Sequence, residues 1–168
     1  MVSDITQLSE IAHDEGIPLI IDNTMATQAM CQPANYGADI IIYSTTKFLS
    51  GHGNAMGGCV VDTGKFDWAN NRGFEKLNEP DTSYHGIKFY ETFGNLAYIN
   101  FCHACALRDL GTTMSPFNAY LTLTGIETLN LRMQKHMSNA EKVANFLIKH
   151  SKVDTCLLYT SPSPRDLA

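Results

Sequence analysis

Ile40-Ile41-Ile42-Tyr43-Ser44-Thr45-Thr46-Lys47 is the stretch that decides the fold. Its apolar, β-branched start leaves no polar face, so Asp39 to Tyr43 reads as a strand buried on both sides. Strands of that kind lie inside parallel or mixed sheets covered by helices. A shorter run of the same character, Leu19-Ile20-Ile21, opens after Pro18 and closes on Asp22. Gly57 to Val61 reads as a third strand, beyond the turn Gly51-His52-Gly53-Asn54. Ahead of all three, Ser3 is placed to cap a helix from Asp4 to Glu15, with Ile5, Leu8, Ile11 and Ala12 on one face and Gly16 as its stop. Residues 23–38, with Pro33 and Gly37, read as a loop with a helical turn. A helix followed by continuous apolar strands gives an α/β fold.

Downstream, Asn70 to Gly86 is polar and irregular, a loop of the length that more often lines a site or an interface than fills space. Residues 94–109 read as a helix of small and apolar groups ending before Gly111, and Pro116 suits the first position of another running to about Leu123. The longest helix spans Glu127 to His150, with a stripe of Leu129, Met133, Met137, Ala140, Ala144 and Leu147. The Ser/Pro-rich end beyond Tyr159 has no periodicity and is expected to be unfolded. Leu157 to Asp166 is similar to translated sequencing-adapter DNA, so residues 157–168 are treated as a non-native disordered tail and the chain as one that stops mid-domain.

The 168 residues are 44% apolar and 17% charged, the composition of an ordinary soluble globular protein. A net charge of −5 with no basic cluster argues against nucleic acid as a partner, and no apolar run approaches membrane-spanning length. No signal peptide is visible at the start, and five irregularly spaced cysteines fit a reducing compartment, so the expected location is cytoplasmic.

Two strands that each deliver one charged residue at the C-terminal end mark a candidate site. Alone, Lys47 would read as a solvated surface lysine and Asp22 as a turn or cap aspartate. Together they offer an amine for a Schiff base and a permanent negative charge. Beside them, the hydroxyls of Ser44 and Thr46, with Gly51, Gly53, Gly57 and Gly58, can hold a phosphate. Those are the parts needed to bind pyridoxal phosphate, where a carboxylate facing the ring nitrogen makes the ring a better electron sink. Cys102-His103-Ala104-Cys105 has ligand-like spacing but lies in a helical pattern without a second ligand pair, so no metal is expected. His52 and the Tyr84-His85-Gly86 turn read as structural, and neither a serine-hydrolase elbow nor a Walker loop occurs.

The stretch Ile17 to Thr24, the run Ser44-Thr45-Thr46-Lys47-Phe48, Gly51-His52-Gly53 and Gly57-Gly58 together resemble the Cys/Met-metabolism family of pyridoxal-phosphate enzymes. The resemblance runs from about residue 3 to 155 and implies the aspartate-aminotransferase fold, fold type I. Three further regions narrow it: Gly64-Lys65-Phe66-Asp67-Trp68; Glu79-Pro80-Asp81 with Ser83 to Gly86; and Leu107 to Gly111 with Ser115 to Ala119. These are most similar to the branch that converts O-acetyl-L-homoserine and sulfide into L-homocysteine and acetate. Cystathionine γ-synthase, cystathionine γ-lyase and methionine γ-lyase are the alternatives within the family, and a non-catalytic α/β binding or assembly protein is the rival outside it.

By the resemblance, residues 1–126 would be the C-terminal half of the cofactor-binding large domain, and 127–156 the long helix and start of the C-terminal domain. Lys47 would be the catalytic, cofactor-linked lysine. Asp22 would pair with the ring nitrogen, Thr24 would pack beside the ring, and Ser44 and Thr46 would bind the phosphate. A ring-stacking tyrosine, a glycine-rich phosphate turn and the arginine for the substrate carboxylate would lie outside this chain. The parent would be a homotetramer with active sites shared between subunits, acting on a small amino-acid substrate and sulfide. The chain alone is expected to be inactive.

Overall fold

A computed structural model describes residues 3–154. The tail expected from Leu157 onward lies outside the described residues. Three strands make one mixed sheet in the order β1 (Ile20–Asp22), β2 (Ile40–Ser44), β3 (Gly58–Asp62). β1 runs parallel to β2 with Asp22 opposite Ile42, and β3 runs antiparallel to β2 with Ser44 opposite Gly58. The central position of β2 accounts for its composition: Ile40 and Ile41 are buried, while β3 is largely exposed. The parallel connection is made through helix α2 (Thr27–Met30) and a 3-10 turn, Pro33–Tyr36, within the stretch expected to be a loop.

Helix α1 (Ile5–Asp14) differs from expectation in two ways. Its cap is Asp4 rather than Ser3: the Asp4 carboxylate accepts the Gln7 N–H at 3.1 Å, where an anion also suits the helix dipole. Its buried face centres on Ser9 and Ala12, leaving Leu8 40% and Ile11 63% exposed. Polar contacts set that docking. The Ser9 hydroxyl donates to the Gly37 carbonyl at 2.9 Å, and His13 Nε2 lies 2.8 Å from Asp39 Oδ2, which also accepts the Leu19 N–H.

The segment 70–86, expected to line a site or an interface, is mostly exposed but is pinned to the core at a few points. It carries helix α3 (Glu75–Asn78) with Leu77 buried. Phe74 meets Trp68 edge-on with ring centroids 5.1 Å apart, and Phe66 meets Trp68 at 4.7 Å. Large aromatic surfaces gain by leaving water, which fastens this part of the loop to the core. Phe89 of helix α4 (Phe89–Phe93) and Tyr98 of helix α5 (Ala97–Phe101) close the cluster, Tyr98 stacking on Trp68 at 5.2 Å.

Gly94 (φ 56°, ψ −136°) breaks the chain between α4 and α5 in a conformation open to glycine. From α5 the helix continues through a π-helical turn, Cys102–Leu107, to helix α6 (Arg108–Leu110). Helix α7 (Pro116–Ile126) is capped by the Ser115 hydroxyl, which accepts the Asn118 N–H at 3.2 Å, and extends past Leu123. Helix α8 (Leu129–Ile148) buries Leu129, Met133 and Ala144 of its expected stripe but leaves Met137 and Ala140 exposed.

Candidate active site

Parallel pairing sends the C-terminal ends of β1 and β2 out of the same side of the sheet, the edge where open α/β sheets bind ligands. Asp22 ends β1 with an exposed carboxylate whose Oδ1 accepts the Thr24 N–H at 2.9 Å. The hydroxyl and N–H of Thr24 hold that carboxyl below the usual carboxylate range, so it is an anion at neutral pH. Thr24 also reaches β2: its hydroxyl accepts the Ser44 N–H at 2.7 Å. Buried Asn23 secures the bend between them by donating to the Cys31 carbonyl at 2.9 Å and the Tyr43 hydroxyl at 3.2 Å. One short turn thus ties Asp22, Thr24 and Ser44 into a single group.

Beyond β2 the chain makes an irregular helical turn, Thr45–Leu49, in which Lys47 departs from helical backbone (φ −87°, ψ −123°). The turn is fastened to the start of β3. Thr45 N–H donates to the Gly57 carbonyl at 3.0 Å, and the Thr46 hydroxyl accepts the Gly57 N–H at 3.1 Å. At Gly57 a Cβ would run into Met114 and come within 2.9 Å of Thr45 Oγ1, so the close approach requires glycine. The Lys47 carbonyl accepts the Gly51 N–H at 2.8 Å, while its side chain is exposed. His52, expected to be structural, bonds through Nδ1 to the Ser50 carbonyl.

Lys47 stands on the rim of a cleft of about 360 Å³ shared with Met25, Phe48, Gly51 and, from α8, Arg132 and His136. Asp22, Ser44 and Thr46 are outside that lining. Arg132 was not singled out by sequence reasoning. It donates from Nη1 to the Phe48 carbonyl at 2.8 Å and from Nη2 to the Leu49 carbonyl at 3.3 Å. The only sequence signal was an arginine between Leu131 and Met133, beside the apolar stripe of a helix.

The cysteine pair is not built as a ligand set. Cys105 is buried, and burial pushes the Cys102 thiol up, away from the thiolate that binds metals. Among the described residues no helix is long and apolar enough to cross a membrane.

An α/β sheet that offers an amine, a fixed anion and hydroxyls at one strand edge is the frame of a cofactor enzyme. The chain belongs to the family described as Cys/Met metabolism PLP-dependent enzyme, whose model matches residues 1–166. It is 48% identical over 159 residues to the O-acetyl-L-homoserine sulfhydrylase of Leptospira meyeri, covering 90% of this chain and 36% of that protein. It is 47% identical over 155 residues to the homocysteine synthase of Schizosaccharomyces pombe, covering 91% and 36%. Among solved structures, a putative O-acetylhomoserine (thiol)-lyase from Campylobacter jejuni superposes with a TM-score of 0.84 at 40% identity, covering 90% of this chain and 37% of that one. That crystal structure holds a pyridoxyl-lysine phosphate. The chain therefore spans about a third of the length of the relatives it matches.

The donor set suits the cofactor that the family's description names. Asp22 is ionised and exposed, as a partner for a protonated ring nitrogen must be. The Ser44 hydroxyl makes no hydrogen bond among the described residues. The Thr46 hydroxyl donates to the Gly57 carbonyl at only 3.4 Å, a weak bond that a phosphate oxygen can replace.

Proposed function

We propose that this chain is the lysine-bearing segment of an enzyme that replaces the acetate of O-acetyl-L-homoserine with sulfide, giving L-homocysteine. One observation carries the reading: ionised Asp22 and the exposed Lys47 amine emerge at the same end of two adjacent parallel strands, with Thr24 bonded to both Asp22 and Ser44. The names of the relatives supply the substrate class.

Bound pyridoxal phosphate supplies a sink for negative charge at the substrate α-carbon. Asp22 keeps the ring nitrogen protonated by charge pairing, and Thr24 holds Asp22 and the Ser44 main chain in register beside the ring. Ser44 and Thr46 donate to the phosphate. Lys47 anchors the cofactor in the resting enzyme. Once the substrate amine takes its place, Lys47 Nζ removes the proton at the α-carbon and serves as acid and base at the β-carbon, work worth about 10²–10⁴-fold in rate. Acetate departs from the γ-carbon with its bonding electrons, and sulfide forms the new C–S bond there.

In this reading residues 1–126 are the C-terminal half of the cofactor-binding domain and 127–156 begin the next one. The remaining parts of the site, including the arginine for the substrate carboxylate, belong to sequence outside this chain, so the chain alone has no turnover. The parent is a cytoplasmic homotetramer whose sites are shared between subunits; free thiols at Cys31, Cys59, Cys102 and Cys105 agree with a reducing compartment. The test is an assay of the longer protein that carries this segment, with O-acetyl-L-homoserine and either sulfide or cysteine as nucleophile. Homocysteine formed from sulfide is the expected result. Cystathionine from cysteine, or elimination without a nucleophile, would move the reading to a γ-synthase or a γ-lyase.

A further inference from the structure

Arg132 lines the same cleft as Lys47, yet its guanidinium is already engaged. Nε donates to Thr128 Oγ1 at 3.1 Å and Nη1 to the Phe48 carbonyl at 2.8 Å. Nη2 donates twice, to the Leu49 carbonyl at 3.3 Å and the Gly125 carbonyl at 2.7 Å. Four of the five N–H donors of the fork are therefore spent on neutral acceptors. A cation committed in this way is poorly placed to seize a substrate carboxylate, which needs two parallel free donors.

What the fork does is join two elements that are distant in sequence. Phe48 and Leu49 directly follow Lys47, whereas Gly125 and Thr128 form the junction of α7 and α8. Two glycines make room for the contact. A Cβ on Gly51 (φ 71°) would strike the Arg132 guanidinium, and one on Gly125 would strike the Ser50 carbonyl. His136, one turn along α8, meets the Phe48 ring edge-on at 5.2 Å. Within the turn, the Ser50 N–H donates to the Thr45 carbonyl at 3.0 Å and the Gly51 N–H to the Lys47 carbonyl at 2.8 Å.

We propose that Arg132 is a positioning residue: by holding the carbonyls of Phe48 and Leu49 against α8, it sets where the Lys47 amine stands relative to the substrate carbon it serves. This rests on the functional reading above. Lysine cannot substitute for the clamp, because one ammonium cannot present a planar fork to three carbonyls and a hydroxyl. Small displacements of a proton-transferring group are costly, about 10²-fold in rate for a misplacement near 1 Å.

The test uses the full-length holoenzyme with Arg132→Lys and the milder Thr128→Val, which removes the Nε acceptor and the hydroxyl's own bond to the Gly125 carbonyl at 3.3 Å but leaves the three carbonyl contacts of the guanidinium. Steady-state kinetics are read beside amide hydrogen exchange of the cofactor-free and cofactor-bound forms. Arg132→Lys is expected to lower kcat about 10²-fold at unchanged KM, and to speed exchange in residues 45–51 while 89–101 keep wild-type protection. Thr128→Val is expected to shift both readouts the same way by less. Wild-type kcat in Arg132→Lys, or unchanged exchange in 45–51, would overturn the proposal. So would exchange accelerated equally across the molecule, which marks a merely structural arginine. Failure of the functional reading shows separately, as absence of cofactor-dependent turnover in the wild-type enzyme.

Discussion

The aromatic cluster and the lysine turn are built by opposite means. Phe66, Trp68, Phe74, Phe89 and Tyr98 close on one another, with Trp68 only 2% exposed and Phe89 fully buried. Around Lys47 the order comes from hydrogen bonds to main chain: Thr24 to Ser44, Thr46 to Gly57, Arg132 to Phe48 and Leu49. On its open side Met25 is 68% and Met56 75% exposed, while on the other Leu49 is buried with Leu129 and Met133 of α8. Burial gives the first region stability without fine direction, because it is non-directional. Directed bonds give the second its geometry, on a smaller apolar footing of Leu49, Leu129 and Met133. The cluster is therefore the anchor, and the turn is the instrument mounted on it.

Trp68→Ala is the harshest way to break that division. It removes the edge contacts with Phe66 and Phe74, the stack on Tyr98 and the indole N–H bond to the Asn95 carbonyl at 3.0 Å. A loss of about 3–5 kcal/mol in unfolding free energy is expected from denaturant titration of the longer protein. If the regions are separable, cofactor content per folded molecule stays at the wild-type level. Parallel loss of cofactor and stability would show that the turn depends on the cluster directly.

A smaller effect sits at the seam. Asp62 ends β3 beside Tyr98, and burial raises its carboxyl above the usual range, while burial first and the nearby Cys102 second push Tyr98 up to about 12. A carboxyl raised in the folded state binds more protons folded than unfolded. Its ionisation therefore erodes stability as pH climbs from its unfolded value toward its folded one. Asp62→Asn keeps the acceptor for the Gly64 N–H, bonded at 2.8 Å to Oδ1. The variant should gain stability relative to wild type as pH rises above about 4, the unfolded carboxyl's value, as followed by thermal melting at each pH. A difference that stays constant as pH rises would mean that Asp62 is not destabilised by its ionisation.

How much of this could be read from the chain depended on whether the partners were near in sequence. Ile40 to Ile42 announce a buried central strand by themselves, and Asp22 and Lys47 stand out because each follows such a run. The cap shifted from Ser3 to Asp4 because two good capping residues are adjacent and only backbone geometry chooses between them. The apolar face of α1 misled because Ser9 and His13 find polar partners at Gly37 and Asp39, contacts that hydrophobic periodicity does not register. Residues 70–86 looked like a rim because only Phe74, Leu77 and Tyr84 of that polar stretch join the apolar cluster, and Phe89 and Ala97, which share it with them, come later in the chain. Arg132 was hidden for a related reason: its main partners are main-chain carbonyls, which every residue carries.

The central claim is that Lys47 is the lysine that carries the cofactor. Borohydride reduction of the holo form of the longer protein, followed by peptide mapping, reads this directly. A pyridoxyl group on Lys47 alone is the predicted result. Bound cofactor with the label on another lysine, or on none, would contradict the account.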